Sequence, residues 1–170
     1  MKKGKIKKSS QESIAVSVHS LAEHFAKNLG LEIWDVKFLK EGPNYILRIF
    51  IDKPSGISLD DCEAMSKAID RPLDELDPIP MSYSLEVCSP GIERELTCDR
   101  HLEKFIGSEV KVRLIRPNEF GKKIFSGILN SFGKNIIEIR NNKNQSTDCE
   151  IIRLERENIS HINLNLSQGE

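Results

Sequence analysis

The sequence predicts an α+β protein with two unlike domains. The first is an N-terminal α-β-β-α-β domain with a three-stranded sheet and two helices, and the second is a C-terminal small β-barrel of the SH3-like or Sm-like kind. Residues 11–88 mix helical apolar repeats with two-residue repeats, whereas residues 109–164 contain only short two-residue repeats. Between them, Ser89, Pro90 and Gly91 are typical of a tight turn, because proline presets φ and glycine accepts the positive φ of a type II turn.

This division predicts four segments. We expect a disordered basic tail in residues 1–10, an N-terminal domain in residues 11–90, a linker in residues 91–98 and a C-terminal domain in residues 99–166. The first eight residues include five lysines and no acid, and such a composition cannot bury a core. The turn Ser89-Pro90-Gly91 is the predicted hinge between the two domains.

The elements of the first domain are predicted from their start and stop signals. Apolar residues at helical spacing indicate a helix over residues 11–29, which Gly30 ends. Ser58 is a natural N-cap for a second helix, whose apolar stripe ends near Pro72 or Leu73. The three predicted strands cover residues 31–38, 45–52 and 82–88.

The second domain is predicted to open with a short helix over residues 99–106, ended by Gly107. The strands predicted after it cover residues 109–115, 123–130, 135–140, 149–154 and 159–164. Five short strands within about 60 residues are typical of a small barrel of the SH3-like or Sm-like kind.

The net charge of −1 hides an asymmetry along the chain. Residues 9–99 include 17 acidic and 8 basic side chains, whereas residues 100–170 include 9 acidic and 12 basic ones. An acidic domain repels phosphate and attracts basic surfaces, and a basic domain can lie against phosphate. Solubility alone explains an acidic domain equally well.

Several functional classes are disfavoured by the sequence. Apolar runs are shorter than the ~20 residues of a membrane span, the N-terminus lacks the apolar region of a secretion signal, and the four cysteines lack C-x-x-C spacing. We therefore expect a cytoplasmic protein with reduced thiols, and no metal, cofactor, membrane or small-molecule substrate. Phosphate-loop, dinucleotide-binding and zinc-protease motifs are absent, and nothing orients His101 as a base for Cys88 or Cys98, so we expect a binding protein rather than an enzyme.

Acidic residues and one arginine are candidates for protein binding. Asp70, Asp74 and Asp77 lie near the predicted end of the second helix, and we hypothesise that they bind a basic protein. Their irregular spacing and the absence of a loop glycine disfavour a calcium site. Beyond the turn, Glu93 and Arg94 are further candidates. The Arg94 guanidinium can clamp a carboxylate or a phosphate, and an interdomain salt bridge is an equally good interpretation.

The candidates for RNA binding are Lys111, Arg113, Arg116, Lys122 and Lys123. Alternate residues of a strand share a face, so Lys111 and Arg113 would begin a basic stripe that can follow a phosphate backbone. Phe120 and Phe132 lie in or near turns and are candidates for base stacking, although a core position is the favoured interpretation of both.

The run Leu85–Leu96, LEVCSPGIEREL, resembles the signature of the RimP family, L-E-V-S-S-P-G-[IL]-[DE]-R-P-L. Cys88 stands where serine is usual. Glu95 stands where proline is usual, so the linker loses a φ restraint and gains a negative charge. Three further segments resemble motifs of that family in the same order: Asp52–Cys62, Asp77–Pro80 and Phe105–Gly107.

The resemblance implies a bacterial, non-enzymatic factor of ribosome biogenesis whose second domain is an SH3-like barrel. It implies binding to the immature 30S subunit, promotion of its maturation, and contacts to 16S rRNA and to a basic ribosomal protein near the decoding centre. We expect the protein to act as a monomer. The alternative is an Sm-like RNA-binding regulator that acts on free RNA, and the overall charge of −1 argues against it.

Overall fold

A computed structural model describes residues 8–141 and 150–165 of the chain. The chain divides into two compact units, which we call unit 1 and unit 2, and the division falls between Pro90 and Gly91. Residues 1–7 of the predicted tail, the first residue of the strand predicted at 149–154, and residue 166 all lie outside the described residues.

Unit 1 has the predicted α-β-β-α-β order. Its elements are α1 (Lys8–Asn28), β1 (Glu32–Glu41), β2 (Asn44–Asp52), α2 (Leu59–Leu76) and β3 (Ser84–Cys88). The three strands form one sheet in the order β1-β2-β3, with β2 antiparallel to β1 and parallel to β3. A parallel pair needs a long crossover connection, and α2 provides it.

The core of unit 1 forms between the two helices and the sheet. Apolar side chains at helical spacing on α1 and α2 pack with alternate residues of β1 and β2, as their periods require. The fully buried members include Val18, Ala22, Leu47, Ile49, Ile51, Met65 and Ile69. This single apolar layer fixes the orientation of α2, whose C-terminal end bears the acidic residues considered below.

Both helices of unit 1 differ from their predicted bounds. Helix α1 begins at Lys8, so the last residues of the predicted tail are helical; that turn has no apolar residue for a periodicity to detect. Helix α2 continues through Pro72 to Leu76 rather than ending near Pro72 or Leu73. A proline removes one amide donor, but Leu73 is 1% exposed, and its carbonyl accepts a hydrogen bond from the Asp77 amide at 2.9 Å. Burial of the last turn therefore outweighs the proline.

Unit 2 is the predicted small β-structure. Its elements are α3 (Asp99–Lys104), β4 (Glu109–Leu114), β5 (Ile124–Phe132), β6 (Ile136–Arg140), β7 (Ile151–Glu155), a 3-10 helix (Arg156–Asn158) and β8 (Ile159–Leu164). The antiparallel sheet has the order β7-β6-β5-β4-β8. Four consecutive strands thus form a meander, and after the 3-10 turn the fifth strand returns to pair with the first. This is the SH3-like arrangement.

Candidate functional site

Three carboxylates that the sequence predicts as a protein-binding group line one open cleft. Asp70, Asp74 and Asp77 surround it together with Tyr83, and its volume is about 640 Å³. Its apolar lining residues are Leu73, Ile79, Pro80, Met81 and Leu85, of which Leu73 and Ile79 are almost completely buried. We call this feature the acidic cleft. Its surface is mainly polar and acidic, and the partly buried Met81, Tyr83 and Leu85 add a smaller apolar part.

Local sequence explains why the three carboxylates converge. Asp70 and Asp74 are four residues apart and so lie one above the other on the same side of α2. Asp77 is the C-cap in the left-handed region, with φ 42° and ψ 53°, a conformation that aspartate tolerates better than most residues. The three side chains therefore follow from a helix and its cap, and need no long-range pairing.

The electrostatic environment of the acidic cleft is strongly negative. The C-terminus of a helix bears about half a negative charge, which acidic side chains reinforce rather than offset. Burial raises the pKa of Tyr83, and the nearby carboxylates of Asp74, Asp70 and Asp77 raise this pKa further. A lysine or arginine suits such a cleft, because its charged head can meet the carboxylates while its methylene stem covers apolar lining.

The basic residues of β4 lie on one exposed face of unit 2. Lys111 and Arg113 are exposed, whereas Val110, Val112 and Leu114 between and beside them are buried. The prediction that the two basic residues share a face is therefore confirmed. Their neighbours across the sheet are Ser126 and Ile124 on β5, and Asn163 and His161 on β8. We call the exposed surface of Lys111 and Arg113 the basic face.

The remaining basic candidates lie in the loop of residues 115–123, between β4 and β5. Arg116, Lys122 and Lys123 are all exposed. The Lys122 Nζ lies 4.8 Å from the centroid of the Phe125 ring, a cation–π distance. Phe120 is 90% exposed, so the favoured interpretation of it as a core residue is wrong. The alternation of strands does not extend into this loop, and sequence alone gives no measure of exposure there.

The comparison with known families decides the identity of unit 1. Residues 21–93 match the family model of the RimP N-terminal domain. This part of the chain is similar to the N-terminal domain of the RimP family. This is a family of ribosome maturation factors, and its members are non-enzymatic assembly factors. The matched region begins within α1 and ends just beyond Gly91, so it includes the whole acidic cleft.

After β3 the chain enters unit 2 through a turn at Ile92 and Glu93, two residues beyond the central positions Pro90 and Gly91 that the sequence predicts. Gly91, just before this turn, has φ +79°, the positive value predicted for it. Arg94 donates from Nε to the Gly91 carbonyl at 3.0 Å, while the Glu93 carbonyl accepts from Asn163 Nδ2 at 3.1 Å. Arg94 thus contributes to the structure of the turn. On β3, Glu86 accepts a hydrogen bond from Arg48 Nε at 2.7 Å.

Part of the predicted linker pairs with the edge of the sheet in unit 2. The Leu164 amide donates to the Arg94 carbonyl at 3.0 Å, and the Leu96 amide donates to the Ile162 carbonyl at 2.7 Å. Between them, the Glu95 carboxylate lies 2.5 Å from His161 Nδ1. The sequence does not predict this contact, since the two residues are 66 positions apart.

Cys88 and Cys98 were considered as nucleophiles with His101 as their base, and the structure gives the surroundings of all three residues. Burial raises the pKa of the Cys88 thiol, the opposite of what an activated thiolate needs. His101 is 1% exposed, and its Nδ1 accepts a hydrogen bond from the Thr97 amide at 3.1 Å. Cys98 is the exposed N-cap of α3. In residues 8–141 and 150–165, the structure has no cluster of His, Cys, Asp or Glu that could hold a metal ion, and no helix suited to crossing a membrane.

Proposed function

We propose that this chain binds the immature 30S subunit and promotes its maturation through contacts to a basic ribosomal protein and to 16S rRNA. In this proposal it acts as a cytoplasmic monomer, without catalysis. The main support is the acidic cleft, where three carboxylates, a helix C-terminus and an apolar lining form one surface. Such a surface attracts basic protein segments and repels phosphate.

The acidic cleft fits a lysine- or arginine-rich segment of a ribosomal protein. Its carboxylates are exposed, so they lose little hydration before a partner arrives, and exposed charges chiefly accelerate encounter. The partly buried Leu85 and Tyr83 then offer apolar contact to the stem of a basic side chain. Charge would thus determine the rate of binding, and apolar contact would slow dissociation.

The basic face of unit 2 favours phosphate, whereas the acidic cleft favours basic protein segments. Lys111 and Arg113 lie about 7 Å apart along β4, as alternate residues of a strand do. Two aligned cations can neutralise successive phosphates, and each such contact releases counterions. A small subunit contains both basic protein and rRNA, so the two units together suit a particle of mixed composition.

Co-sedimentation with separated ribosomal particles tests this function. We expect the purified protein to sediment with free small subunits and not with joined ribosomes. The triple substitution Asp70→Asn, Asp74→Asn and Asp77→Asn should slow association several-fold at low salt and flatten its salt dependence. Asparagine is the appropriate replacement because it also tolerates the left-handed conformation of residue 77.

A matched control separates the acidic cleft from net charge. Glu12→Gln, Asp60→Asn and Glu63→Gln together remove the same number of charges from α1 and α2 outside the cleft. If both triple variants slow association equally, the cleft has no special role. Failure of the native protein to sediment with any ribosomal particle would refute the proposed function.

The second candidate function is an RNA-binding regulator built on unit 2. The exposed basic face favours it, because a phosphate backbone could occupy that face without a ribosomal protein. This alternative predicts tight, strongly salt-dependent binding to naked RNA and self-association into rings. This alternative gains support if the native protein binds naked RNA but does not sediment with small subunits.

A further inference from the structure

The loop of residues 115–123 presents an aromatic ring to solvent among positive charges. Phe120 is 90% exposed, which is unusual for a phenylalanine, the residue type that most strongly favours burial after the aliphatics. Arg113, Arg116, Lys122 and Lys123 lie within seven residues of it along the chain, and Glu119 is the one acid among them. An exposed ring of this kind is a surface that gains free energy when a partner covers it.

The loop has a defined backbone that holds Phe120 at its tip. The Asn118 side chain accepts hydrogen bonds from the amides of Phe120 at 3.1 Å and Lys122 at 2.8 Å. The Asn118 amide donates to the Lys122 carbonyl at 2.9 Å, and Gly121 adopts the positive φ of +75° that the turn needs. A ring presented by an ordered turn loses little conformational entropy when it binds.

The base of the loop is fixed by the 3-10 helix that precedes β8. Asn158 Oδ1 accepts from the Arg116 amide at 2.9 Å, and its Nδ2 donates to the Arg116 carbonyl at 3.1 Å. The Asn158 carbonyl also accepts from the Ile115 amide at 2.7 Å. One asparagine therefore anchors the start of the loop to the barrel, directly after the end of β4.

We infer that Phe120 stacks on an unpaired base of single-stranded RNA while the neighbouring cations neutralise its phosphates. Every base has a π-face, so one aromatic ring binds without regard to sequence, and positive side chains beside it follow the backbone. A ring on a loop tip reaches splayed-out bases but not the stacked bases of a duplex. This inference rests on the proposed contact of unit 2 with rRNA and names the form of RNA that it takes.

Charge favours RNA over an apolar protein pocket as the occupant of this surface. Ile115 and Ile124, at the two ends of the loop, are 54% and 45% exposed, so the patch also has an aliphatic margin. However, the surrounding side chains are mainly cationic, and burying them against an apolar protein would cost desolvation that a phosphate partner offsets. A protein pocket therefore becomes the alternative that the experiment must distinguish.

Fluorescence anisotropy with a short fluorescein-labelled oligouridylate tests the inference on the full chain. Phe120→Ala should weaken binding about fivefold to a hundredfold, the range found when one stacked aromatic is truncated. Phe120→Leu, which keeps apolar bulk without a ring, should weaken it similarly, whereas Phe120→Trp should bind at least as tightly. The salt dependence should stay unchanged in Phe120→Ala and decrease in Lys122→Gln with Lys123→Gln.

The Phe120→Trp variant adds a direct readout of stacking. The natural Trp34 is 5% exposed, so added RNA should quench the emission of the new indole and leave that of Trp34 nearly unchanged. Unchanged affinity of Phe120→Ala, or an oligouridylate that does not bind the native chain at low salt, would overturn the inference. Native affinity in Phe120→Leu would instead identify an apolar contact and equally overturn stacking.

The two proposals fail in distinguishable ways. If Phe120→Ala keeps its affinity for oligouridylate while the native chain sediments with small subunits, stacking is wrong and the proposed function stands. If stacking is observed but the chain sediments with no ribosomal particle, the ring binds RNA in another setting. Thermal unfolding of each variant checks that an exposed position has been changed without loss of the fold.

Discussion

We expect the basic face to contribute a predictable amount to the salt dependence of RNA binding. Lys111→Gln with Arg113→Gln removes two charges from exposed positions of β4, so the buried residues between them keep their packing. Each phosphate neutralised contributes about 0.7 to the slope of log K against log salt for a single strand and about 0.9 for a duplex. If both residues contact phosphate, the slope should fall by about 1.4 for single-stranded RNA or about 1.8 for a duplex.

Equilibrium titrations of both kinds of RNA over about 50 to 200 mM salt measure this slope. Lys67→Gln with Arg71→Gln is the matched control, because it removes the same charge from exposed positions of α2 in unit 1. An equal change of slope in the control would mean that net charge alone is responsible. An unchanged slope in the β4 variant would show that the basic face does not contact phosphate, and would refute its assignment as an RNA-binding surface.

Two further predictions concern stability. Gly127→Ala should destabilise the protein by about 1–3 kcal/mol, because its Cβ would lie 2.5 Å from the Arg140 carbonyl oxygen. Gly133→Ala is the control. Its Cβ would lie 3.8 Å from the nearest atom, the Ile136 carbonyl oxygen, so this variant should keep the native urea midpoint. Hydrogen bonds from Lys53 and Ser58 lower the pKa of Asp61 to about 2. The ionised Asp61 therefore stabilises the folded state fully above its unfolded pKa of about 3.9, and this stabilisation is lost as the pH falls toward 2. In Asp61→Asn the urea midpoint should therefore decrease less over this pH range than in the native chain. An equal decrease in both proteins would show that ionisation of Asp61 does not stabilise the fold.

The sequence predicted the fold well because apolar periodicity decides which side of each element is buried. The alternation of Val110, Val112 and Leu114 identified both a strand and its exposed face, and the capping signal at Ser58 located the start of α2. Element ends were less predictable. Leu73 shows why: tertiary burial of a last turn overrides the local effect of a proline, and burial of this kind is not a local property of sequence.

The candidate sites, too, were predictable where local sequence brings the residues together and not where distant contacts do. Asp70, Asp74 and Asp77 were predictable as a set because one helix and its cap bring them together, whereas Tyr83 joins them from beyond a loop. The Cys88 thiol illustrates a limit of sequence reasoning, since its raised pKa depends on burial that only the fold determines. Long-range contacts and exposure in loops therefore account for most of what the sequence left open.

Glu95 shows how a departure from a family pattern can be accommodated. It lies opposite Asn163 in an isolated antiparallel bridge at the edge of β8. The two hydrogen bonds of this bridge are donated by Leu96 and Leu164, so neither uses the amide of residue 95. A proline at this position, as the RimP signature has, would leave both bonds in place, and the edge of a sheet is where proline is tolerated.

We therefore expect Glu95→Pro to fold with a stability close to that of the native chain. Proline should add about 0.4–1 kcal/mol by restricting the unfolded state, while loss of the exposed contact to His161 should cost at most about 1 kcal/mol. Glu95→Ala isolates the second effect, because it removes the carboxylate without restricting φ. Urea unfolding at neutral pH should rank Glu95→Pro above Glu95→Ala. The reverse order would mean that the amide of residue 95, and not only its side chain, helps to hold this segment against β8.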